Sequence, residues 1–167
     1  MIEIVTTDIT TLDVDGIVNA ANEGLLGGGG VDGAIHRAAG AGLLEDCRKL
    51  NGCPTGSAKV TSGHKLKARH VIHAVGPVWR GGHENEAKLL AAAYHSALEC
   101  AAILAIRSIA FPAISTGIYG FPRQRAAEIA IGELRRHLKT GREPHRLILV
   151  AYDAPSAAVL RQALSAV

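Results

Sequence analysis

Amides, glycines and a carboxylate crowd into one stretch of the chain, Asn19-Ala20-Ala21-Asn22-Glu23-Gly24-Leu25-Leu26-Gly27-Gly28-Gly29-Gly30-Val31-Asp32-Gly33. A loop of consecutive glycines gives up conformational entropy on folding and contributes no side-chain packing. It is kept where backbone must come close to another group or adopt positive φ. The ligand best served by such a loop is a phosphate, which accepts hydrogen bonds from clustered backbone N–H groups at a helix start. The amides enter the loop from an apolar pair, Ile17-Val18, and Asp32 stands where a helix should begin. Phosphate binding with a carboxylate close by is the chemistry this stretch suggests.

Gly28-Gly29-Gly30-Val31-Asp32-Gly33 also satisfies the Gly-x-Gly-x-x-Gly dinucleotide fingerprint. The complete fingerprint needs an acidic residue about 20 residues on, at the end of the next strand, to hold a ribose hydroxyl. Asn51-Gly52-Cys53-Pro54 stands there instead, which disfavours a nicotinamide site and leaves a plain structural loop as an alternative. A second stretch, Ala113-Ile114-Ser115-Thr116-Gly117, resembles a nucleophile elbow with Ala in the first glycine position. No triad completes it: Asp153 has no histidine after it, and His137 and His145 precede it. A second anion loop, offering the backbone N–H groups of Ser115, Thr116 and Gly117, fits better, with a structural turn as the other reading.

Other reactive residue types form no site. His70 and His73 are the one close histidine pair in a strand, and their spacing sends them to opposite faces, so no metal is expected. His36, one turn into the helix after Asp32, is read as a packing or surface histidine. Cys47, Cys53 and Cys100 are odd in number and lack a Cys-x-x-Cys pair, which favours a reducing cytoplasm over a disulfide framework or a zinc site. The basic residues Arg135, Arg136, Lys139, Arg142 and Arg146 read as a solvated face, because 4% aromatic residues leave few stacking platforms for nucleic acid.

The elements that must position the two loops follow from patterning. Strands are expected over 2–5, 16–19, 57–62, 70–75, 108–111 and 145–152. Helices are expected from an N-cap at Asp32, over 43–50, over 84–104, from a first turn at Pro122 to about 138, and over 154–166. This alternation implies an α/β fold, a mostly parallel sheet with helices on both faces and ligand loops at the carboxyl ends of the strands. The segments after Val5, Val18 and Phe111 all fall at such ends. A chain of 167 residues, 48% hydrophobic, is expected to form one domain, 1–167, and its formal net charge of +3 mildly favours anionic ligands. The amino terminus shows no secretory pattern, and His95, Ser96 and Glu99 interrupt the apolar run 89–106, so a buried helix is expected rather than a membrane span.

Taken together, Asn19 to Asn22, Gly27 to Gly40 and Phe111 to Gly120 resemble the macrodomain family. Within it the chain looks most similar to the bacterial O-acetyl-ADP-ribose deacetylases. The likeness continues through Cys53-Pro54-Thr55-Gly56, Val75-Gly76-Pro77-Val78-Trp79-Arg80-Gly81-Gly82 and Tyr152-Asp153, and so covers nearly the whole chain. It implies a three-layer α/β/α fold with a mixed central sheet and a cleft for ADP-ribose. By that pattern Asp8 accepts from the adenine amino group with Ile9 beside it. Gly28, Gly29, Gly30, Val31 and the segment Ser115, Thr116, Gly117, Ile118 and Tyr119 close over the diphosphate and distal ribose. Asn22 holds a ribose hydroxyl, and Asp32 orients or deprotonates a water attacking an ester carbonyl. The implied substrates are O-acetyl-ADP-ribose and ester-linked mono-ADP-ribosylated proteins. The protein is expected to be a monomer with no cofactor. A reader module without turnover and an RNA-linked regulator are the alternatives. One departure stands out: the family usually has Gly before the adenine aspartate, where this chain has Thr7, a residue strained at positive φ.

Overall fold

The computed structural model describes residues 1–166. In chain order the elements are β1 (Ile2–Thr6), a 3-10 turn (Ile9–Thr11), β2 (Gly16–Ala21), α1 (Gly30–Ala39), α2 (Ala41–Lys49), β3 (Ala58–Ser62), β4 (His70–Val75), α3 (Glu86–Ile103), β5 (Ser108–Phe111), α4 (Arg123–Lys139), β6 (Arg146–Ala151) and α5 (Ala154–Ser165). The strands form one sheet in the order β1-β6-β5-β2-β4-β3. Every pairing is parallel except that of β3 with β4. The short connection between those two strands is the reason: it leaves too little chain for the crossover that a parallel pair requires.

Alternation along the strands builds a core on each face. Ile17 and Ala21 of β2 and Val71 and Val75 of β4 join Ile35, Leu43 and Cys47 under α1 and α2. Val18, Ile72 and Ala74 face the other way, into the cluster with Leu90, Tyr94, Leu134 and Leu160 of α3, α4 and α5. The result is the expected three-layer α/β/α arrangement with a mixed sheet. Asn19 and His73 share the face of Ile17 and Val71, two residues along each strand, and are themselves direct cross-strand partners. Both are completely buried.

Several boundaries differ from the sequence expectation. β2 runs on to Ala21, so Asn19 lies inside the strand. Asp32 does not cap α1: Gly29 is the N-cap, without a side-chain bond, and Asp32 is the third residue of the helix. Gly30, at φ 56°, makes the bend into the helix that a side-chain cap would otherwise have marked. Pro122 precedes α4 rather than opening it, and α3 starts at Glu86 after Asn85 at φ 62°. α3 packs against β4 and α4, and among the described residues no helix is long and apolar enough to cross a membrane. The basic group is largely engaged. Arg142 pairs with Glu99, Arg146 with Glu3 and Arg136 with Glu133, and Arg135 donates to the carbonyls of Leu164 and Ala166.

Candidate functional site

A cavity of about 900 Å³ opens at the carboxyl ends of β1, β2, β5 and β6. Asp8, Ile9, Asn22, Gly28, Gly29, Gly30, Val31, Asp32 and residues 115–119 all line it, so the residues to which the family likeness gave a binding or catalytic part lie around one space.

The glycine loop is braced from inside. Asn22 accepts from the backbone N–H of Leu25 at 3.1 Å and donates through Nδ2 to the carbonyl of Gly27 at 3.1 Å. The first helical bond of α1 runs from Gly33 N–H to the Gly29 carbonyl at 3.2 Å, which leaves the N–H groups of Gly30, Val31 and Asp32 without an intrahelical acceptor. Two glycines are there for space. A Cβ on Gly33 would lie 2.6 Å from the Gly28 carbonyl oxygen, so only glycine lets the loop fold down on its own helix. A Cβ on Gly28 would lie 3.0 Å from Asp32 Oδ2 and 3.4 Å from Asn22 Nδ2, which places bare backbone between those two side chains.

Asp32 is 5% exposed, and its two oxygens have separate surroundings. Oδ1 accepts from Asn19 Nδ2 at 2.8 Å and lies 3.4 Å from His36 Nε2. Oδ2 faces the Gly28 side of the cavity. Behind Asn19, the same Nδ2 is 3.1 Å from His73 Nδ1, and His73 Nε2 is 2.9 Å from Thr61 Oγ1 and 3.7 Å from Cys47 Sγ. Burial, then the nearby His36, hold the His73 imidazole down to about 4, so it is neutral at physiological pH. Burial pushes the Cys47 thiol up to about 11, which keeps it protonated and inert.

The opposite wall is the turn after β5. Ser115 sits buried at φ 68°, with Oγ unpartnered, and the backbone N–H groups of Thr116, Gly117, Ile118 and Tyr119 have no protein acceptor among the described residues. The turn is tied at three points: Phe121 N–H to Ser115 O at 2.9 Å, Trp79 N–H to Tyr119 O at 2.8 Å, and Ile114 N–H to Tyr94 Oη at 3.4 Å. The segment around Trp79 is in turn held by Glu86, which is 1% exposed and accepts backbone N–H groups from Arg80, Gly82 and Glu84. Gly76 closes the gap between the two walls, since a Cβ there would lie 2.2 Å from Ser115 Oγ.

At the far end Asp8 caps the 3-10 turn, accepting from Thr10 N–H at 2.9 Å and Thr10 Oγ1 at 2.8 Å, both through Oδ1. Thr7 is not among the non-glycine residues at positive φ, so the departure from glycine carries no backbone strain. Sequence reasoning left Asn19, His73 and Thr61 without a role. The strand alternation that puts Asn19 and His73 on one face was the available signal, but their pairing depends on the register of two strands that are neighbours in the sheet and not in the sequence. Chemically, the cavity offers two sets of free backbone donors for an anion and a carboxylate with one oxygen held and the other directed inward.

Comparison with known proteins agrees with this geometry. The macro domain family model matches residues 18–130, well over half of the chain. A macro domain-containing protein of Methanosarcina mazei is 56% identical over 158 residues, covering 95% of this chain and 84% of the relative. A Klebsiella pneumoniae protein named O-acetyl-ADP-ribose deacetylase is 52% identical over 167 residues, covering 98% and 95%. Among solved structures, a mutant of the Oceanobacillus iheyensis macrodomain with ADP-ribose superposes with a TM-score of 0.93 at 40% identity, covering 98% and 91%. The Trypanosoma brucei macrodomain in complex with ADP-ribose gives a TM-score of 0.90 at 39% identity, covering 98% and 69%. With its sheet order, its two donor loops and these likenesses in agreement, the chain belongs to the macrodomain family.

Proposed function

We propose that this protein binds ADP-ribose in the cavity and hydrolyses esters on its distal ribose. It would convert O-acetyl-ADP-ribose to ADP-ribose and acetate, and release ADP-ribose ester-linked to protein Asp or Glu side chains. The observation that carries the reading is the division of labour at Asp32: Oδ1 is anchored by Asn19, while Oδ2 lies beside bare Gly28 backbone and the Asn22 amide, next to the unpaired N–H groups that open α1. Those N–H groups and the ones of residues 116–119 suit the two phosphates of the ligand. Asp8 has Oδ2 available for the adenine amino group, with Ile9 packing beside it. Tyr119 and Ile118 cover the diphosphate and distal ribose, and Asn22 meets a ribose hydroxyl.

In the reaction, a water held by Asp32 Oδ2 and a phosphate oxygen attacks the ester carbonyl carbon. Collapse of the tetrahedral intermediate breaks the bond to the ribose oxygen, which takes up a proton as acetate leaves. Asp32 either accepts the water's proton or only orients the water, and no covalent nucleophile or cofactor enters. The name of the Klebsiella relative supports the deacetylase activity. The cytoplasm is the proposed location, and the monomer the proposed form.

The test follows acetate release from O-acetyl-ADP-ribose by wild type, Asp32→Ala and Asn22→Ala proteins, with ADP-ribose affinity measured alongside. Loss of a positioned acid-base group lowers turnover by about 10²- to 10⁴-fold, and the Asp32→Ala protein should fall in that range while still binding ADP-ribose. Tight ADP-ribose binding by a wild type that releases no acetate would leave a reader module instead.

A further inference from the structure

Asp32 is not held by its own helix. Its anchor is an amide on the central strand β2, and the amide has a peculiarity: Asn19 Oδ1 is buried with no partner among the described residues, so the whole orientation of the side chain rests on the two hydrogens of Nδ2. One goes to Asp32 Oδ1. The other must go to His73 Nδ1, which therefore presents a lone pair and carries its ring proton on Nε2. Thr61 Oγ1, 2.9 Å from Nε2, is the acceptor that favours this tautomer, with the Cys47 thiol at 3.7 Å as a weaker neighbour. In the other tautomer Nδ1–H would face Nδ2–H. Turning the amide over to relieve that clash would set Asn19 Oδ1 against the Asp32 carboxylate, acceptor against acceptor.

We propose that His73 and Thr61 are positioning residues for Asp32: by fixing the His73 tautomer they fix the Asn19 amide, and the amide holds the carboxylate with Oδ2 directed into the cavity. This rests on the hydrolase reading for its catalytic consequence, although the hydrogen-bond chain itself does not. His73 does not line the cavity. The other polar and charged groups around it are His36, on the same side as Asp32, and Lys59, opposite it in register, whose Nζ donates to the Leu50 carbonyl.

Two substitutions separate the ring nitrogens. In His73→Asn the amide oxygen can stand where Nδ1 was and still accept from Asn19. In His73→Gln the polar end can stand where Nε2 was, satisfying Thr61 and leaving Asn19 with one acceptor. His73→Gln should lower kcat for acetate release by about tenfold, the scale of one misplaced polar group in a site, with KM and ADP-ribose affinity within about twofold of wild type. Thr61→Val should act in the same direction, and His73→Asn should recover most of the turnover. Histidine ¹⁵N chemical shifts of the wild type, assigned against His73→Asn, should show Nε2 protonated and Nδ1 bare.

A protonated Nδ1 would overturn the proposal, as would His73→Gln turnover equal to wild type. A fall in ADP-ribose affinity parallel to kcat would do so too, since it would mean general loss of structure. A wild type that releases no acetate but keeps the Nε2–H tautomer would refute the hydrolase reading and leave the anchoring of Asp32 standing.

Discussion

Gly33→Ala sets two effects of known sign against each other. Gly33 lies within α1, where alanine favours the helix over glycine by about 1 kcal/mol, so on propensity alone the variant should be more stable. The added Cβ, however, would stand 2.6 Å from the Gly28 carbonyl oxygen, where ordinary contact begins at 3.4 Å. The loop must retreat by about 0.8 Å, because the opposing atom is backbone and the Cβ sits on a regular helix. Overpacking of this kind costs about 1–3 kcal/mol, which outweighs the propensity gain and leaves a net loss of about 0–2 kcal/mol. That amounts to a fall of about 0–8 °C in melting temperature. Function should suffer more. Gly28 is the backbone that separates Asp32 Oδ2 from Asn22, and a displacement near 1 Å at a reacting centre can lower turnover by about 10²-fold. Calorimetric melting, ADP-ribose titration and acetate release on one preparation give all three numbers. A Gly33→Ala protein that melts higher than wild type and binds and turns over within twofold of it would refute the reasoning, by showing that the loop does not need to lie against its helix.

Two further outcomes are expected. Asp8→Ala should weaken ADP-ribose binding by about tenfold, the worth of one hydrogen bond to a charged group, and leave kcat at saturating substrate nearly unchanged, because the proposed function puts the ester at the Asp32 end of the cleft and Asp8 at the other; a fall in kcat would place it nearer the chemistry. The buried His73 imposes a pH dependence on stability. Its value in the folded protein, about 4, lies below the ordinary 6.5, so as pH falls the unfolded chain takes up the proton first. This contribution is complete above about pH 6.5 and drains away toward pH 4, by about 3 kcal/mol in all. Denaturant unfolding across that range should show the loss in wild type and a flatter profile in His73→Asn; equal profiles would refute the assignment.

Local chemistry made much of this molecule readable in advance. Glycine runs, strand alternation and the residues after Val5, Val18 and Phe111 place the ligand loops without any knowledge of contacts. The errors have a common cause. Asp32 looks like a helix cap by residue type, yet Gly29 and Gly30 make the bend by conformation alone, which composition does not reveal. Asn19 reads as the last residue of its strand because Ala20 and Ala21 are weak strand formers, and only its alignment with His73 in the neighbouring strand shows it to be interior. Thr61, Asn19 and His73 come from three different strands, and a contact among them depends on register set by the whole sheet. The brace on Tyr119 is equally non-local: it passes through Trp79 to Glu86, a residue that reads from sequence as an ordinary acid in the first turn of α3.

The sheet order carries a consequence for ligand size. Asp8 follows β1 at the sheet's edge and Asp32 follows β2, with β6 and β5 between them. At about 4.8 Å per strand, the ends of β1 and β2, beside which the two acids sit, are three strand spacings apart, roughly 14 Å across the sheet. The backbone ladder is thus a gauge that no side-chain substitution recalibrates. A compound that engages both ends has to be about that long, and a shorter one must choose between the edge and the centre. Fragments of the natural ligand should therefore sort into two sets that bind side by side, and joining them with a linker of the right length should raise affinity through effective concentration alone, with no new contact to the protein.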